Sequence, residues 1–111
     1  MQRIIFHIVS GILVCLASLV FPSGLWAQND APKVFQARCS LCHSANGSGD
    51  SATGKAVKAK DLRSDEVQKQ SDAQLAEVIA RGKGKMPAFG SKLSPDAIKS
   101  LVAYLRELPK Q

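Results

Sequence analysis

The run Cys39-Ser40-Leu41-Cys42-His43 constrains this chain more than any other stretch of it. Two thiols three residues apart on one helical turn face the same way, and the next residue brings an imidazole beside them. This Cys-x-x-Cys-His spacing is read as a c-type haem attachment site, in which each sulfur forms a thioether to a vinyl group along one edge of the porphyrin. His43 then falls under the ring and binds iron from one side, and because ligand and cofactor are fastened to one turn they cannot lose register. A thioredoxin-like dithiol would need a βαβ surrounding, which the sequence does not offer. A zinc centre would need a fourth ligand and usually a second cysteine pair. A plain disulfide stays open for an oxidising compartment.

The residue inventory narrows further at the N-terminus. No formally charged residue occurs from Ile4 to Trp26, and Ile8, Ile12, Leu13, Val14, Leu16, Leu19 and Val20 form an apolar run behind Arg3. A basic start, an apolar middle and Ala27 as the cleavage position describe a secretory signal peptide over residues 1–27, with a single domain over 28–111. Leu25 is larger than the residue preferred there and the run is long enough to stay as an anchor, so a membrane tether is the alternative. A lipoprotein anchor on Cys15 is disfavoured by Val14 before it. Cleavage removes Met1, His7, Cys15 and Trp26. It leaves Cys39 and Cys42 as the only cysteines, His43 as the only histidine and Met86 as the only methionine, so two-histidine ligation within one mature chain is excluded by count.

A domain of this size sits near the lower limit at which an ordinary core suffices, and such folds are commonly completed by a disulfide, a metal or a large bound group. At 45% hydrophobic and 22% charged residues, the body of the chain has globular rather than disordered composition. The expected class is all-α, with three to four short helices. The first spans about Ala31 to Leu41, with Pro32 in its first turn and Val34 and Phe35 on its apolar face. The second is capped by Ser71 and Gln74, continues through Leu75, Val78 and Ile79, and stops at Gly82. The third starts at Ser94-Pro95, carries Ile98, Leu101, Leu105 and Leu108 at helical spacing, and ends at Pro109. A short turn over Ser64 to Gln68 is allowed, and no alternating strand pattern is visible.

An electron carrier needs its second axial iron position filled by a ligand that stays when the charge changes. Met86 is the available thioether, in a loop framed by Gly82, Gly84 and Pro87; the plain alternative is a methionine filling a gap in the core. A His/Met pair raises the iron potential relative to two nitrogen ligands. Gly49 to Lys55 imitates a phosphate-binding loop, but Ala56 stands where Ser or Thr is required and no strand precedes it. Residues 44–60 are instead read as the haem-side loop.

Taken together, these residues resemble a small bacterial class I (monohaem) cytochrome c over residues 31–108. The resemblance rests on Phe35 four residues before Cys39, the Cys39-to-His43 motif, Asp61-Leu62 midway, the Gly82-to-Phe89 loop around Met86-Pro87, and a last helix with Leu101, Tyr104 and Leu105. It implies first and last helices that cross, a covalently bound haem c in a crevice with one edge exposed, and maturation outside the cytoplasm. Many relatives carry a proline after the haem motif whose carbonyl accepts from the axial histidine. No proline occurs between His43 and Met86 here, so that acceptor is not readable from the sequence.

The expected function is that of a periplasmic one-electron carrier rather than an enzyme, with Cys39 and Cys42 anchoring haem, His43 and Met86 ligating iron, and Phe35, Leu62, Phe89, Leu101 and Leu105 lining the crevice. A peroxide- or gas-binding enzyme or sensor is disfavoured by the lack of a second histidine or a distal acid–base pair. A haem subunit of a membrane-bound dehydrogenase or oxidase remains the alternative. Lys55, Lys58 and Lys60, with Arg81, Lys83 and Lys85 around Met86, suit redox partner proteins with acidic docking surfaces, or simply keep the surface soluble. Export makes nucleic acid an unsuitable partner.

Overall fold

A computed structural model of the chain describes residues 30–110; the signal peptide expected over 1–27 lies outside them. Among the described residues there are six helices and no strand: α1 (Ala31–Arg38), α2 (Ser40–His43), α3 (Ala52–Val57), α4 (Asp65–Gln68), α5 (Asp72–Arg81) and α6 (Pro95–Glu107). No helix among them is long and apolar enough to cross a membrane. The all-α class agrees with the expectation; the helices are more numerous than their patterns suggested and the first is shorter, while α5 and α6 keep their expected bounds.

Side-chain caps set most of the helix starts. Asp30 accepts from the Lys33 amide at α1, Ser64 from Val67 at α4 and Ser94 from Ala97 at α6. Ser71 and Gln74 form a reciprocal capping box at α5, with Ser71 Oγ accepting from the Gln74 amide at 3.1 Å and Gln74 Oε1 accepting from the Ser71 amide at 2.8 Å. These bonds satisfy amide groups that a helix start otherwise leaves without partners.

Two departures from the sequence reading lie next to the cysteines. The helix expected to run to Leu41 stops at Arg38: Cys39, at φ −116°, makes the last bond of the ladder, from its amide to Phe35 O at 2.9 Å, and caps α1. A fresh turn then winds around its carbonyl, which accepts from Cys42 and His43 amides at 3.2 and 2.9 Å. The stretch 44–60, expected as loop, contains α3. Ser51 Oγ caps it by accepting from the Gly54 amide at 2.9 Å, and Lys58 ends it in the left-handed conformation. A mid-helix glycine is a poor helix former, which hides this element in the sequence.

The core forms where α1 and α5 both pack on α6. Phe35 and Leu101 are each 2% exposed, and the Phe35 and Tyr104 rings meet at 5.3 Å and 55° across the α1–α6 contact. Leu75 and Ile79 of α5 and Ile98, Val102 and Leu105 of α6 complete it, with Phe89 and Leu93 from the connecting loop. Each fully buried aliphatic or Phe side chain contributes about 1.5–3 kcal/mol. Of the residues expected to line a crevice, Phe35, Phe89, Leu101 and Leu105 are buried, and Leu62 is half-buried against them.

Candidate functional site

Cys39, Cys42 and His43 occupy the turn formed by α2 and the residue before it. Both thiols are free and half-buried. Cys39 packs against the core, and burial pushes its thiol up to about 11, outweighing the lowering effect of Arg38, with Cys42 adding a further upward push. Short turns and glycines press α3 onto this turn. A Cβ on Gly54 would overlap the carbonyl oxygens of Cys42 and Gly49, so only glycine lets the two backbones close.

The His43 ring is oriented by a backbone group far along the chain. Nδ1 lies 3.0 Å from the Lys60 carbonyl oxygen. A carbonyl only accepts, so Nδ1 carries the proton and donates, which leaves the Nε2 lone pair for a metal. The Lys60 carbonyl is held in place by its neighbours. Gly49, at φ +72°, donates its amide to His43 O at 2.8 Å, and a Cβ there would stand 2.8 Å from Ala59 O and 3.2 Å from Lys60 O. The glycine pair that imitates a phosphate-binding loop thus serves close backbone packing around His43, and among the described residues no strand precedes it.

Met86 stands apart, on the loop after α5. Lys83 and Met86 exchange backbone bonds, Lys83 N to Met86 O at 3.1 Å and Met86 N to Lys83 O at 2.9 Å, around Gly84 at φ +57°. Positive φ at the first central position is the demand of a type II′ turn, and glycine meets it. At Gly82, φ +75°, a Cβ would come within 2.5 Å of Met86 O. The loop is fastened back to α5 by bonds from Phe89 N to Ile79 O at 3.0 Å and Gly90 N to Ala80 O at 2.9 Å. Met86 itself is half-buried and touches the core.

The donor chemistry fits a c-type haem: two free thiols on one turn and an imidazole whose outer nitrogen is uncommitted. It does not fit a bare metal ion, because no three His, Cys, Asp or Glu side chains converge among the described residues. The sequence profile of the family described as "Cytochrome C oxidase, cbb3-type, subunit III" matches residues 27–105. The chain belongs to the class I c-type cytochromes. It is 28% identical over 110 residues to cytochrome c6 of Gloeothece citriformis (strain PCC 7424), covering 96% of this chain and 94% of that one. It is 34% identical over 89 residues to the cbb3-type cytochrome c oxidase subunit FixP of Azorhizobium caulinodans, covering 78% of this chain and 29% of that protein. Among solved structures, the c-type cytochrome KustC0563 matches with a TM-score of 0.67 and 31% identity, over 73% of this chain and 99% of that one.

As a c-type cytochrome the chain carries one covalently attached haem c, and it moves electrons rather than transforming a substrate; Cys39 and Cys42 could form the Cys-x-x-Cys-His motif that such attachment uses. The zinc and nucleotide readings fall away. Lys60 is the site residue that sequence reasoning missed. Every residue has a carbonyl, so no side-chain signal marks it; only the spacing of Gly49 and Gly54 hints that the backbone closes there.

Proposed function

We propose that this cytochrome is an exported, periplasmic one-electron carrier whose iron is ligated by His43 Nε2 and Met86 Sδ. The observation that carries this reading is the hydrogen bond from His43 Nδ1 to Lys60 O, which fixes the tautomer and ring orientation a metal ligand requires. When bound, haem supplies a single iron that changes charge by one electron. The chain's own residues do the rest. Cys39 and Cys42 tie the group to one turn, and the Gly82–Gly84 turn presents Met86 with little freedom to move. The apolar side chains of α1 and α6 keep water away, which together with a thioether ligand holds the potential up. Replacing Met86 by Ala is expected to lower the potential and let small ligands such as cyanide or imidazole bind; unchanged potential and ligand resistance would remove Met86 from the site.

Export rests on the leader over residues 1–27, with residues 28–111 as the mature domain. Lys83 and Lys85 are exposed beside Met86 and suit a partner with an acidic docking surface. Lys60 is answered by Glu66 at 2.7 Å and Arg81 by Glu77 at 3.5 Å, so the basic stretches are less available than their sequence suggests.

A second reading has specific support: the matching family profile is that of an oxidase subunit, and FixP is among the relatives. In it the domain docks on a membrane-bound oxidase or dehydrogenase, tethered by an uncleaved leader. The mass of the exported protein separates the two, since an intact leader favours the tether and a chain starting at Gln28 favours the free carrier.

A further inference from the structure

Gln68, the last residue of α4, sits between the C-terminal helix and the segment that holds His43. Its side-chain amide nitrogen donates to Leu62 O at 2.6 Å and to Leu105 O at 3.1 Å, while Oε1 faces Arg106 Nη1 at 3.4 Å. Both Leu62 and Leu105 present carbonyls, which only accept, so the orientation of the amide is determined by its partners. Leu105 O has no helical partner because the residue four positions on is Pro109, which lacks an N–H. Gln68 fills that gap with one hydrogen and uses the other on Leu62. Its own carbonyl accepts from Arg106 Nη1 at 2.8 Å, and Arg106 Nη2 also reaches Gln70 O at 2.5 Å. The amide is therefore fixed from behind by α6.

Leu62 is held on both sides, since its amide donates to Gly47 O at 2.8 Å and its carbonyl accepts from Gln68. Two residues upstream is the Lys60 carbonyl that accepts from His43 Nδ1. Pinning both polar groups of Leu62 leaves the short Lys60–Asp61 link little room to rotate.

We propose that Gln68 is a positioning residue for the axial histidine, keeping the Lys60 carbonyl aimed at His43 Nδ1 by clamping Leu62 to the end of α6. This rests on His43 being the iron ligand. A strong acceptor at Nδ1 makes the imidazole a better donor and favours oxidised iron. Loosening the acceptor reverses this and raises the potential.

The test uses the haem-loaded protein and Gln68→Met, which keeps the length of the side chain and removes both donors. Its reduction potential shifts upward, and the His43 ring N–H exchanges with deuterium about tenfold faster by NMR, the equivalent of losing one ordinary hydrogen bond. Ser71→Ala, which cuts the α5 cap and touches neither Leu62 nor Leu105, gives the response of a destabilised fold alone. Should Gln68→Met not fold, Gln68→Glu keeps the acceptor towards Arg106 and is read by ring N–H exchange. Exchange in the Gln68 variant no faster than in Ser71→Ala, or a potential that does not rise in Gln68→Met, overturns the proposal. The spectrum of the unsubstituted protein separates this from failure of the ligand assignment: without a histidine- and sulfur-ligated spectrum there, the ligand assignment itself is at fault.

Discussion

Gly49 shows at the residue scale why part of the site was legible in the sequence and part was not. Cys39, Cys42 and His43 announce themselves because their side-chain chemistry and spacing admit few readings. The acceptor for His43 is a main-chain carbonyl, and its place at Lys60 is set by glycines whose role appears only when two backbones are seen to touch. Gly49→Ala would force a Cβ to 2.8 Å from Ala59 O at φ +72°. The expected loss is about 1–3 kcal/mol of stability, seen as a lower urea midpoint. Asp61 gives a second prediction. Its carboxyl is held below the usual aspartate range, first by the hydrogen bond from the Arg63 side chain and against the opposing effect of burial. A lowered folded-state value stabilises the fold above the ordinary aspartate value of about 4 and loses that contribution as pH falls through the lowered value. Urea midpoints measured across that acidic window should fall less steeply in Asp61→Asn than in the unsubstituted protein.

At the scale of elements, legibility follows the strength of the boundary signals. Ser71 with Gln74, Gly82, Ser94-Pro95 and Pro109 mark the ends of α5 and α6 in advance, and the spacing of Ile98, Leu101 and Leu105 identifies the buried face of α6. The break at Cys39 carries no Gly or Pro, and α3 holds a glycine in its middle, so local preference misleads at both. Each lies at or against the Cys39–His43 turn, where close backbone packing outweighs helix propensity. Leu101, 2% exposed at the centre of the α1–α6 contact, is the most sensitive point of the frame. Leu101→Ala should destabilise by about 2–5 kcal/mol. Ser71→Ala, at an exposed cap, should cost about 1 kcal/mol. Thermal unfolding followed by circular dichroism should rank the two in that order; equal shifts would contradict the assignment of the core.

For the whole molecule, the excess of 15 Lys and Arg over 9 Asp and Glu becomes meaningful through its placement. Lys83 and Lys85 belong to the turn that carries Met86, and both are exposed. If an acidic partner docks there, the rate of electron exchange falls as salt rises, because screening shortens the reach of surface charge to about 8–10 Å at 0.1–0.15 M ionic strength. Lys83→Glu with Lys85→Glu should slow the low-salt rate several-fold and flatten its salt dependence, as followed by stopped-flow mixing with an acidic redox protein. The fold class could be read from one sequence because pattern and chemistry agree there, and the Arg81–Glu77 pair follows from four-residue spacing on α5; the surface ion pair Lys60–Glu66 could not, since it depends on how α4 meets the segment before it. The proposed function depends on one porphyrin that Cys39 and Cys42 would anchor and whose iron His43 and Met86 would ligate. The absorption spectrum of the purified protein, recorded before and after acid–acetone extraction, tests it most directly. The haem bands should stay with the polypeptide after extraction, and the native oxidised protein should show the weak far-red band of sulfur bound to iron. Colour that leaves with the solvent, or a native spectrum without that band, would contradict it.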